Sequence, residues 1–142
     1  MLVAGSGGVL LDLLALRPWW QRHEVSWAAV RAADTSVALA GQVVHWQPAL
    51  APRARLAVPA ATLRALRLLR RTRTDLVVSS GGGAAPSFLM AARLLRIPTI
   101  WVEPLTTGGP PGWCARSASA VVVQNPALLG SRPGAVLIGE LY

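Results

Sequence analysis

LVAGSGGVLLDLL (Leu2–Leu14) is the stretch that decides how the chain is read. A short apolar run is broken by glycines and followed by leucines, the pattern of strand, tight turn and helix. Glycine after a strand lets the backbone turn sharply and bring its N–H groups close to a ligand. The N-terminus of the next helix then favours an anion. The pattern returns with the strand DLVVS (Asp75–Ser79), the loop SGGG (Ser80–Gly83) and the helix APSFLMAARLLR (Ala85–Arg96).

Working outward, LVAG (Leu2–Gly5), Val25–Val30, Val43–Trp46, Thr99–Glu103 and Ser119–Gln124 read as strands, with a short final one at Ala135–Gly139. Helices are expected over Leu10–Leu16, from a cap at Asp34 or Thr35 to Gly41, and from Pro59 onward. Val, Ile and Leu run together without strict alternation, which suits strands covered on both faces. Residues 1–142 therefore read as one α/β domain, a Rossmann-like, doubly wound, mostly parallel sheet. In the strand order 3-2-1-4-5 the first and fourth strands are neighbours, and both glycine loops leave adjacent carboxyl ends to line one crevice. The plainer alternative is that both are only tight strand-to-helix turns.

Composition narrows the chemistry. All fourteen basic residues are Arg against six acidic ones, a net charge of +8 that favours an anionic partner. The basic stripe has no interleaved aromatics and no recognisable motif, so no nucleic-acid partner is expected. His23 and His45 lack ligand spacing, and no metal site is expected. The single cysteine, Cys114, excludes an internal disulfide and fits a reducing compartment. No run approaches the roughly 18 apolar residues of a spanning helix. A dinucleotide fingerprint would need glycine where Leu10 stands and an acid closing the second strand, where Arg31 follows Val30. No cofactor is expected.

No Ser-His-Asp, Cys-His or paired-carboxylate set is visible. Glu103, at the end of the fifth strand, can accept hydrogen bonds from a sugar hydroxyl or hold a loop. Between Arg53 and Thr74 there are seven arginines and no acid. Leu63, Leu66 and Leu69 suggest an apolar stripe there, with Arg64, Arg67 and Arg71 beside it. Such a helix can present cations to anionic lipid or simply carry a solvated face.

The blocks GSGG, RPWW (Arg17–Trp20), DLVVSSGGG, PTIWVE (Pro98–Glu103), VVVQNPAL (Val121–Leu128) and VLIGELY (Val136–Tyr142) together resemble a known family. It is the acceptor-side subunit of the two-chain UDP-N-acetylglucosamine transferase, and more closely its bacterial capsule and exopolysaccharide homologues. The resemblance covers nearly the whole chain. It implies the N-terminal half of a split GT-B glycosyltransferase, peripheral on the cytoplasmic, inner face of the plasma membrane. Such a half positions a polyprenyl-diphosphate-linked acceptor and docks a separate donor-binding subunit. The positions it carries over for substrate are Ser6, Gly7 and Gly8, then Ser80, Gly81 and Gly82, and Glu103. The tail with Ile138, Gly139, Leu141 and Tyr142 corresponds to the partner interface. One departure bears on chemistry: where the family follows its first glycine pair with histidine, this chain has Val9, which neither takes a proton nor donates a hydrogen bond. A catalytically inactive scaffold that recruits a glycosyltransferase to the membrane is the second reading, and a stand-alone nucleotide-binding protein the third.

Overall fold

The computed structural model describes residues 1–48, 57–104, 112–131 and 134–139. Among these residues seven strands form one sheet: β1 (Leu2–Ala4), β2 (Trp27–Val30), β3 (Val44–Gln47), β4 (Val77–Ser79), β5 (Thr99–Glu103), β6 (Ala120–Val123) and β7 (Val136–Leu137). Their order is β3-β2-β1-β4-β5-β6-β7, and every described pairing is parallel. Strand order steps outward from β1 in one direction and from β4 in the other, so the β1/β4 boundary is the switch point that the two glycine runs imply. The α/β Rossmann-like reading of the sequence holds.

Helices cover both faces, which is why the central strands are apolar on both sides. On one face, α1 (Gly8–Ala15) and the short α2 (Arg17–Trp20) pack Leu10, Leu13 and Trp20 against Leu2, Ala4, Trp27, Ala29, Val78 and Val102. Leu39, just past α3 (Ala33–Ala38), joins that cluster. Pro18 sits in the first turn of α2, where its missing N–H costs nothing, and Trp20 Nε1 donates to Leu13 O at 2.7 Å. On the other face, α4 (Ala57–Arg71) and α5 (Ala85–Leu94) pack Ala65, Leu69, Phe88, Ala91 and Ala92 on Val3, Ala28 and Val77. The helix α6 (Trp113–Ser117) lies against α5 and β5.

Two local expectations are corrected. The buried side of α4 is Thr62, Ala65 and Leu69, while Leu63 is 47% exposed. Three-residue steps turn only about 300°, so a Leu63–Leu66–Leu69 line drifts off one face, whereas spacings of 3 and 4 keep to it. The helix expected up to Gly41 ends at Ala38. Nor do the two candidate caps serve from the N-cap position: Thr35 lies inside the helix, accepting from Ala32 N at 2.8 Å and donating to Val30 O at 2.9 Å. Asp34 reaches elsewhere.

Candidate functional site

The two glycine loops meet at the carboxyl ends of β1 and β4, and they meet backbone to backbone. A β-carbon placed on Gly82 would lie 2.6 Å from Gly5 Cα, and one on Gly5 would lie 2.8 Å from Gly82 Cα. Gly82 also holds φ +94°, a region that side-chain-bearing residues avoid. Side-chain hydroxyls lock the contact. The buried Ser79 Oγ donates to Val3 O at 2.9 Å and accepts from Gly81 N at 3.2 Å, while Ser80 Oγ donates to Val9 O. The structure thus brings Ser80, Gly81 and Gly82 together with the first loop, and it spends the Ser80 hydroxyl on joining the loops.

Ser6, Gly7 and Gly8 form the open side of the mouth. All three are exposed, and space surrounds the β-carbon positions of Gly7 and Gly8. Here Asp34 enters. Its Oδ2 accepts from Gly7 N at 2.7 Å and its Oδ1 from Thr35 N at 2.8 Å, so an exposed carboxylate from α3 sits at the N-terminus of α1. The Gly7 bond, aided by that from Thr35, holds the Asp34 carboxyl below its ordinary value. The sequence signal for this was weak: an acid within reach of a helix start 27 residues away.

Glu103 is 2% exposed and accepts from Trp101 Nε1 at 2.9 Å. Beside it Gln124, also buried, donates from Nε2 to Asp12 Oδ1 at 3.0 Å, tying β6 to α1 beneath the mouth. Neither Asp12 nor Gln124 was singled out from the sequence as a site residue. Cys114 on α6 is half-buried, and burial pushes its thiol up, away from the activated range.

Arg64, Arg67 and Arg71 are exposed on α4, and Arg64 lines a small cleft with Ala84, Ser87 and Phe88 at the start of α5. Ile138 and Gly139 follow the edge strand β7, where Val136, Leu137 and Ile138 are 57%, 41% and 40% exposed. Leu141 and Tyr142, and most of the loop after β5, lie outside the described residues. A cavity of about 750 Å³ opens at the opposite, amino end of the sheet, among Trp19, His23, His45 and Arg73. In open parallel sheets ligands bind at the carboxyl ends, so the glycine mouth is the candidate site. Among the described residues no group of His, Cys, Asp and Glu could hold a metal ion.

No family model matches the chain. Over 99% of its length it is 33% identical to a protein of Methylococcus capsulatus, the UDP-N-acetylglucosamine--N-acetylmuramyl-(pentapeptide) pyrophosphoryl-undecaprenol N-acetylglucosamine transferase. It spans 44% of that protein's length. The crystal structure of Acinetobacter baumannii MurG superposes with a TM-score of 0.79 at 24% identity, over 99% of this chain and 45% of that one. A glycosyltransferase of Rickettsia africae gives 0.75 at 12% identity, covering 98% and 42%. The UDP-N-acetylglucosamine 2-epimerase of Rickettsia bellii gives 0.74 at 10%, covering 99% and 44%. The chain is therefore similar to UDP-N-acetylglucosamine transferases and has the fold of one Rossmann-like half of a GT-B architecture.

Proposed function

We propose that the chain is the acceptor-side half of a UDP-sugar glycosyltransferase, taking a polyprenyl-diphosphate-linked acceptor at the glycine mouth. The observation that carries this reading is the backbone contact of Gly5 and Gly82 at the switch point. It puts the starts of α1 and α5 side by side. The Gly7 amide is held by Asp34, Ala85 N donates to Gly82 O and Pro86 has no N–H. The other first-turn amides, which have no acceptor inside their own helix, are the ones a phosphate would meet. Two helix N-termini converging on one opening suit the two phosphates of a diphosphate. The similar protein of Methylococcus capsulatus is named for transfer to a pyrophosphoryl-undecaprenol, which agrees with that ligand class.

The donor half is supplied by a separate chain. Support for this comes from the resemblance. The apolar residues exposed at the β7 edge, with Leu129 at 40%, offer that partner a surface. Anionic lipid on the inner face of the plasma membrane is met by Arg64, Arg67 and Arg71; among the described residues no helix is long and apolar enough to cross a membrane. The pathway is polysaccharide or lipid-linked oligosaccharide synthesis.

The test is transfer of sugar from UDP-N-acetylglucosamine to a polyprenyl-diphosphate-linked acceptor. Turnover is expected only when this chain and its donor-binding partner are both present. Turnover by this chain alone, or a donor-binding chain that works equally well without it, would overturn the proposal.

A further inference from the structure

The wall of the mouth next to the second glycine loop is not polar. A β-carbon on Gly81 would lie 3.0 Å from Val9 Cγ1 and 3.9 Å from Trp101 Cη2, so the valine and the edge of the indole converge on the Gly81 backbone. Trp101 pairs in register with Ser79, the last residue of β4, which places it at the level where the loop begins. The ring is half-buried, and its N–H is tied to the buried Glu103 carboxylate at 2.9 Å. A charge-assisted bond of this kind fixes the ring's orientation before any ligand arrives, so little side-chain freedom remains to be lost on binding.

We propose that Trp101 is the specificity-determining residue of the acceptor site, its indole receiving the apolar C–H face of the sugar ring attached to the diphosphate, with Glu103 as its positioning residue. The inference rests on the acceptor reading given above. A glycosyl diphosphate is polar at one end and carries an apolar ring face at the other. The mouth matches that division, with amides at the helix starts and Val9 and Trp101 alongside. Tryptophan provides a large rigid surface, and C–H groups make favourable weak contacts with it. Glu103 itself acts through the ring: 2% exposed, it takes the indole N–H, and burial of a carboxylate is tolerable only with such partners.

The test titrates the full chain with three probes, inorganic pyrophosphate, N-acetylglucosamine 1-diphosphate and geranyl diphosphate, and compares dissociation constants. The wild-type chain is expected to prefer the glycosyl diphosphate over pyrophosphate. W101A is expected to lower that preference about tenfold, and W101F, which keeps an apolar ring but has no N–H for Glu103 to hold, to lower it less. E103A should lower the preference about as W101F does and less than W101A. E103Q should restore it because the amide oxygen still accepts from the indole, and W101A/E103A should fall no further than W101A. Should E103A fail to fold, the contrast of W101F with W101A still decides. An unchanged preference in W101A, an E103Q variant as poor as E103A, or a W101A loss confined to geranyl diphosphate would each overturn the inference. A wild-type chain that binds pyrophosphate without preferring the glycosyl diphosphate overturns this inference alone; one that binds none of the probes overturns the acceptor reading with it.

Discussion

Gly7 and Gly82 look interchangeable in the sequence, each between an apolar run and a helical pattern, and in the structure both hold a positive φ, +73° and +94°. Their surroundings differ completely. Around Gly7 a β-carbon would meet nothing within 4 Å, and the residue's amide is taken by Asp34. Around Gly82 the same atom would meet the Gly5 backbone at 2.6 Å. One loop needs glycine for its backbone angle and its openness; the other needs it because a second piece of main chain occupies the space. A glycine-rich motif is thus two kinds of constraint, and only the second kind makes the mouth.

Substitution separates the two glycines. Gly82→Ala carries the largest expected effect, about 3 kcal/mol or more of lost stability in chemical denaturation, because backbone atoms cannot yield as side chains do. A loss below 1 kcal/mol would mean the loops do not touch. Next comes the contrast between Gly7 and Gly8. Gly7→Ala should cost about 1–3 kcal/mol for its backbone alone, since φ +73° with ψ −143° is a region side-chain-bearing residues avoid. Gly8→Ala, at an ordinary φ in open space, should be neutral or stabilising by up to about 1 kcal/mol. Equal losses at the two positions would refute the assignment.

The smallest effect sharpens the picture at Asp34. Its carboxyl in the folded chain lies below 3.8, so the bond to Gly7 contributes above that value and is lost as pH falls through the lower, folded one. The Gly7 amide resonance, followed by NMR, should therefore be flat from neutral pH downward and move with a midpoint below 3.8. A midpoint at or above 3.8 would place the carboxylate elsewhere.

Much of the fold was legible because it is local or periodic. Apolar runs broken by glycine marked β1, β4 and the helices after them, and the strand order followed from general rules for parallel sheets. That both loops share one mouth was also readable; what was not is that the Ser80 hydroxyl, carried over as a substrate contact, donates to Val9 O and joins the loops. Less visible was anything joining distant residues through side chains. Asp34 read as a helix cap because acids at helix starts usually are, yet it serves another helix. Gln124 and Asp12 are 112 positions apart, and nothing in either neighbourhood announces the pair. Trp101 read as one more apolar strand residue.

By itself, the order of residues determined the parallel α/β layering, the placing of glycines at two strand ends and the excess of arginine, since these depend on spacing, backbone freedom and charge. Tertiary structure alone decided that Gly5 and Gly82 touch, that Asp34 meets Gly7, and that Glu103 grips Trp101. Hydrogen bonds and hard-sphere contacts act over a few ångströms, and which residues come that close is settled only when the helices dock on the sheet.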